Sequence, residues 1–228
     1  MKKGSRMLWE DQVPLLEQRR HRVLIEKAYG KLAGGKKVYP LRQNVFESMR
    51  LTGFDAVRVV ILGQDPYFNE HVRMGPEAHG LCFSVVEGIP APPSLVNIFK
   101  EIRRSIYDGD TERVFSTDLT RWALQGVLLL NASLTVIAGK PNSHANIGWH
   151  EITDNIIETL SRRRQHLVFM LWGAFAQKKA AFIDGNRHLV LKTSHPSPLS
   201  AHRGFHGSDV FKKCNEYLRY HGHDPIQW

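Results

Sequence analysis

VVILGQDPYF, Val59 to Phe68, carries four apolar residues straight into Gly-Gln-Asp-Pro-Tyr. An apolar run without polar alternation predicts a strand buried on both faces, as in a parallel sheet covered by helices. GVLLLN (126–131) is a second run of this kind, and HLVFMLW (166–172) and RHLVLKT (187–193) read as a third and a fourth strand, the first strand itself spanning 57–62. Helical patterns separate them. Residues 14–33 place Leu15, Leu16, Val23, Leu24, Ala28 and Leu32 on a helix stopped by Gly34-Gly35, and a second helix is expected over 43–51. Ser94, after Pro92 and Pro93, is the expected N-cap of a helix to about residue 107. Further helices are expected over 150–162 and 174–182, and from Ser208 or Asp209 to 220. Strands alternating with helices predict an α/β fold. The expected architecture is one domain, residues 1–228, a three-layer sandwich with a central four-stranded, mainly parallel sheet flanked by helices.

Ligands in such folds bind beyond the carboxyl ends of the strands. The loops there read GQDPY, NASLTV, GAFAQKK and SHPSPLSAHRGF, and they bring Gln64, Asp65, Tyr67, Asn131, Ser194, His195, Ser197, His202 and Arg203 to one rim. The rim carries one obvious carboxylate. Glycosidases acting on oxygen leaving groups generally need two, one of them an acid for the leaving oxygen. A single carboxylate with a histidine suits a leaving group that departs as an anion. No G-x-S-x-G nucleophile elbow is present. The nearest approach to a metal motif is the isolated HGH at 221–223, so no metal and no cofactor is expected.

The bulk composition narrows the partners. The chain has 228 residues, 42% of them hydrophobic, with apolar runs far short of the roughly 20 residues that span a bilayer. The first residues, MKKGSRMLWED, lack the apolar stretch of a secretory signal, and Cys82 and Cys214 stand far apart. A cytoplasmic protein with reduced thiols and no membrane partner is expected. A net charge of +9, from 31 Lys and Arg against 22 Asp and Glu, favours polyanionic partners.

GQDPY, AHGLCFSV, PPSL, LLLNASLTV, LWG-x-x-AQKK and HPSPLSAHRGF, in that order between residues 63 and 205, resemble the family 1 uracil-DNA glycosylases. The resemblance implies a monomeric enzyme that flips uracil out of single- or double-stranded DNA and hydrolyses its N-glycosidic bond, leaving an abasic site for base excision repair. It implies that Asp65 orients the attacking water and stabilises the cationic sugar. His195, while neutral, would donate to uracil O2. Asn131 would read the base edge, Phe83 stack on it, Tyr67 crowd the position of a thymine methyl, and Gln64 line the pocket. Leu199 resembles the wedge that fills the vacated stack. Pro93, Ser94, Ser194, Ser197 and Arg203 would hold the DNA backbone. A protein that only held DNA would have no need of the Asp65, Asn131 and His195 set.

The chain departs from the family in three places. Phe68 stands where the family has His after GQDPY, and Ala174 replaces the serine of WGS. The segment FNEHVRMGPE, residues 68–77, is longer than the family's. That segment is expected to border the DNA groove, with His71 or Arg73 supplying backbone contacts, and to weaken binding of rigid inhibitor proteins that mimic DNA.

Overall fold

In the computed structural model, residues 8–30 and 34–228 are described. The chain builds α1 (Trp9–Gln12), α2 (Pro14–Glu17), α3 (Arg20–Tyr29), β1 (Val38–Tyr39), α4 (Glu47–Leu51), β2 (Val59–Gly63), β3 (Glu70–His71) and β4 (Gly75–Pro76). It continues through α5 (Pro93–Ile106), α6 (Thr120–Ala123), β5 (Val127–Asn131), β6 (Val136–Ile137), α7 (Trp149–Arg163), β7 (Val168–Trp172), α8 (Gly173–Gln177), β8 (Leu189–Thr193) and α9 (Val210–Tyr220). The three fully buried apolar runs and the half-buried edge strand β8 form one sheet in the order β5-β2-β7-β8, parallel throughout. The expected three-layer α/β architecture is therefore observed.

The two faces of the sheet explain why these strands carry almost no polar residues. Val60, Leu62, Leu128, Leu130, Phe169 and Leu171 pack on one face against Trp149, Ile152, Ile156 and Leu160 of α7 and the N-terminal helices. Val59, Ile61, Leu129, Val168, Met170 and Trp172 pack on the other against Leu95, Ile98 and Ile102 of α5 and Phe211, Cys214 and Leu218 of α9. Each fully buried side chain of this size contributes about 1.5–3 kcal/mol. The chain leaves β2 for β5 on one side and returns past it to β7 on the other, so β2 marks the switch in strand order where such sheets open a crevice.

Several helix expectations are corrected. The pattern over 14–33 is not one helix: Arg19 adopts a left-handed φ of 58° and the chain turns between α2 and α3. Tertiary contacts override the local pattern there. The Leu15 N–H donates to Asn155 Oδ1 at 3.1 Å, Leu16 is buried, and Val23, counted as apolar face, is 66% exposed. Leu32 lies outside the described residues. The helix expected over 43–51 begins as a 3-10 turn, Arg42–Asn44, before α4. Ser94 is not an N-cap: α5 starts at Pro93, whose missing N–H costs nothing in a first turn, and Pro92 precedes it without a side-chain cap. The helix expected over 174–182 divides into α8 and a 3-10 turn, Lys178–Phe182. The last helix begins at Val210, with Asp209 at φ 59° and its N–H held by buried Glu101 at 2.9 Å.

Two small ribbons have no counterpart among the expected elements. β1 pairs antiparallel with β6, and β3 with β4. The second is a hairpin within the long segment 68–77, its tip at Val72, Arg73 and Met74.

Candidate active site

Parallel register aligns the carboxyl ends of the strands: Gly63 of β2 sits opposite Asn131 of β5, and Trp172 of β7 opposite Thr193 of β8. The loops after β2 and β8 and the last residue of β5 close a pocket of about 220 Å³. Drug-sized ligands occupy roughly 300–1,000 Å³, so this pocket suits one small ring. Gln64, Asp65, Tyr67, Phe68, Phe83, Ser94, Asn131 and His195 line it.

Asp65 is half-buried, and its Oδ2 accepts the backbone N–H of Asn142 at 2.8 Å. Burial pushes its carboxyl above the ordinary 3.8, opposed by that hydrogen bond. Asn142, at a left-handed φ of 59°, also takes Gln64 Nε2 on its side-chain oxygen at 2.6 Å. One residue thus orients both polar side chains of the GQD turn. Asn142 is absent from the sequence-level site; the only local signal is an Asn in a Gly-Lys-Pro-Asn turn, a residue type that tolerates this conformation.

His195 is fixed in one tautomer. The Ser197 N–H donates to Nδ1 at 3.0 Å, so Nδ1 carries a lone pair and, in the neutral ring, the proton is on Nε2. Burial holds the imidazole below its ordinary 6.5, which favours the neutral form. The loop around it is braced by Ser200 Oγ donating to the His195 carbonyl at 2.8 Å and by buried Asn97 Nδ2 donating to the Pro196 carbonyl at 2.8 Å. Gly173, at φ 83°, lets this loop approach β7: a Cβ there would stand 2.9 Å from His195 Cβ.

Phe83 is a bulky residue at φ 61°, a conformation costing on the order of 1–3 kcal/mol and commonest at functional sites. Its ring is tilted against Trp172 at 5.3 Å and His195 at 5.8 Å, forming one wall of the pocket. Tyr67 forms another wall, with its phenol pushed up by burial and 3.5 Å from the Phe83 carbonyl. Asn131, 7% exposed, reaches the pocket across Gly63. A Cβ on Gly63 would overlap Asn131 Oδ1 and lie 2.7 Å from Cys82 Cβ. The glycine of GQDPY is therefore a space requirement of the Asn131 side chain as well as a strand end.

The Uracil DNA glycosylase superfamily model matches residues 52–219. The chain belongs to that superfamily. It is 52% identical over 197 residues to a uracil-DNA glycosylase of Azotobacter vinelandii, covering 86% of this chain and 81% of the relative. It is 53% identical over 193 residues to one of Bacteroides thetaiotaomicron, covering 84% of each. Among solved structures, mimivirus uracil-DNA glycosylase superposes with a TM-score of 0.83 at 27% identity, covering 94% of this chain and 86% of that one. A mimivirus UNG variant in complex with UGI reaches 0.86 at 28%, with the same coverage.

The remaining residues expected from the sequence lie outside the pocket or at its lip. Ser94 reaches it from the first turn of α5, while Pro93 is exposed beside a second, shallower concavity of about 490 Å³ shared with Lys100, Pro198, His202 and His206. Leu199 is 83% exposed at the turn of its loop. Ser197 Oγ pairs with Ser200 Oγ at 3.0 Å, Ser194 Oγ is buried without a partner among the described residues, and Arg203 projects into solvent. Phe68 lines the pocket and packs with Tyr39, Ala78 and Val136, and Ala174 is exposed on α8. The β3–β4 hairpin is anchored at its base, where Glu70 accepts from Lys37 at 2.6 Å and Tyr39 at 2.7 Å, while Val72 at its tip is 99% exposed. Among the described residues no group of three or more His, Cys, Asp or Glu is placed to hold a metal ion, and no helix is long and apolar enough to cross a membrane.

Proposed function

We propose that this chain is a family 1 uracil-DNA glycosylase, a cytoplasmic monomer that acts on uracil in single- and double-stranded DNA and opens base excision repair. The observation that carries the reading is the meeting of a carboxylate, an asparagine amide and a neutral histidine in one pocket the size of a single ring. The target base enters the pocket flipped out, since its glycosidic bond is shielded inside the stack. Phe83 stacks on it, Asn131 pairs with its edge, and Tyr67 leaves no room for a methyl group at C5. As the C–N bond lengthens, negative charge gathers on the base and positive charge on the sugar. The Nε2–H of His195 donates to the developing anion, an interaction worth about 3 kcal/mol for one preorganised donor. The Asp65 carboxylate, held by the Asn142 N–H, faces the sugar, stabilises its cation and orients the attacking water. The base leaves as a delocalised anion, so the mechanism needs no second carboxylic acid and no metal. Leu199 enters the vacated stack, and Pro93, Ser94, Ser194, Ser197 and Arg203 steady the backbone.

The same reading has the hairpin tip at Val72 and Arg73 border this surface. DNA can bend around it, whereas a rigid DNA-mimicking inhibitor meets a fixed obstacle, so binding of such inhibitors is weakened. The test of the principal reading is release of free uracil from a uracil-containing oligonucleotide, with and without EDTA. Uracil release that survives EDTA, with none of thymine or cytosine, supports it. Abolition by EDTA would overturn the mechanism, and absence of release would overturn the activity.

A further inference from the structure

The β1–β6 ribbon ends in a cluster of three lysines. Beyond the paired residues Val38 and Ile137, the Ala138 N–H donates to the Lys37 carbonyl at 2.9 Å, and a tight turn returns the Lys140 N–H to the Ile137 carbonyl at 3.0 Å. Lys36, Lys37 and Lys140 therefore emerge together. Lys37 is matched by Glu70 of the hairpin at 2.6 Å. Lys36 and Lys140 make no salt bridge among the described residues, and both are exposed. The backbone ladder sets Lys36 beside Lys140, and that neighbouring ammonium holds Lys36 below the usual lysine range. Two like charges brought together on a surface repel, and the arrangement is relieved by an anion placed between them.

The position of the pair supplies the anion's identity. Lys140 is two residues before Asn142, whose N–H holds Asp65, and the intervening chain can span no more than about 7 Å. On its other side, the Gly139 N–H donates to the carbonyl of Phe68, a residue of the pocket wall, at 2.8 Å. The loop after β6 therefore backs the pocket-lining loop after β2, and the pair stands beside the pocket on that side. Leu199 belongs to a different wall, the loop after β8. Any strand that delivers a base to this pocket continues past the lip with a phosphodiester at each step.

Resting on the reading of the pocket as a DNA site, we infer that Lys36 and Lys140 form a clamp for a backbone phosphodiester of the strand that carries the flipped nucleotide. The clamp adds affinity without sequence preference and does not enter the chemical step. It also supplies cationic groups beside Phe68, which the Gly139 N–H contacts.

The test uses the full chain, Lys36→Gln, Lys140→Gln and the double substitution, with uracil release measured against substrate concentration at several salt concentrations. The double variant is expected to raise KM about tenfold at low salt with kcat within twofold, and to flatten the salt dependence by about 0.7–0.9 for each phosphate left unneutralised. Arginine at both positions should restore the parent behaviour. Arg162→Gln, which removes one charge at the opposite end of the sheet, should leave KM and the salt slope unchanged. A methylphosphonate beside the uracil should weaken the parent and leave the double variant unaffected at the clamped position. An unchanged KM and salt slope in the double variant would overturn the clamp, as would an equal effect from Arg162→Gln or a loss confined to kcat. Binding of the same oligonucleotide, followed by fluorescence anisotropy, reads the clamp independently of turnover. A parent that released no uracil, but whose salt-dependent binding disappeared with the double substitution, would refute the catalytic reading alone.

Discussion

Gly63→Ala concentrates the logic of the pocket in one methyl group. The residue lies in β2 with its α-carbon facing the Asn131 side chain, and both are buried. The new Cβ would stand 2.7 Å from Cys82 Cβ, against an ordinary contact of 3.4 Å or more, and would overlap Asn131 Oδ1. Cys82 is pinned, its thiol donating to the Ile61 carbonyl at 3.3 Å and its N–H to the Leu129 carbonyl at 3.2 Å. The asparagine amide must therefore give way, by on the order of 1 Å. Misplacement of this size costs about 100-fold in rate, or about 2.7 kcal/mol of transition-state stabilisation. The overpacking itself should cost about 1–3 kcal/mol of stability. The assay is single-turnover uracil release, with thermal unfolding measured on the same preparations. Gly63→Ala and Asn131→Ala should lose activity to a similar degree, and the double variant should lose little more than either, because both remove the same interaction. A Gly63→Ala protein with kcat/KM within twofold of the parent would refute the reasoning, and so would fully additive losses.

Asp65→Asn should reduce uracil release by orders of magnitude while raising the melting temperature at neutral pH. Its folded-state pKa is raised by burial, so the ionised carboxylate destabilises the fold above that pKa and the gain should vanish below pH 3.8; an unchanged or lower melting temperature at pH 7 would contradict the burial argument. Nitrogen NMR of His195 should show a bare Nδ1 and a protonated Nε2 throughout the neutral range. Because its pKa is lowered, His195 favours folding above 6.5, and that contribution is lost as pH falls from 6.5 through the folded value; a charged ring at pH 7 would rule the donor role out. Leu199→Ala should slow excision from duplex DNA about tenfold, or about 1.4 kcal/mol, leaving single-stranded substrate and melting temperature nearly unchanged, since the side chain is 83% exposed; an equal loss on both substrates would argue against a wedge. Replacing the Val72-Arg73-Met74 tip by Asn-Gly, a turn compatible with a short hairpin, should restore tight binding of a DNA-mimicking inhibitor while uracil release persists. Stoichiometric inhibition of the parent would end that proposal.

Much of this molecule was legible in one dimension. Val59–Leu62, Leu128–Leu130 and Val168–Leu171 lack polar alternation because each is covered on both faces, and that alone implies a parallel sheet between helical layers. The rim followed as well, because Asn131 ends β5 and the loops that bear Asp65 and His195 leave the carboxyl ends of β2 and β8. The motifs themselves carried the family resemblance. Local patterning failed where distant contacts outweighed propensity: at Arg19, where the chain turns so that α2 and α3 can each meet the core, and at Ser94, where a proline already satisfies the helix start. What only the tertiary structure decided is how the site residues are held. Asn142 reaches Asp65 across 77 positions of sequence, Asn97 steadies Pro196 across 99, and Gly63 makes room for an asparagine on a neighbouring strand. The proton on His195 sits on Nε2 because one backbone N–H meets Nδ1. Such contacts have no local signature: a strand pattern records which face is buried, whereas the distance between two loops depends on every layer packed beneath them.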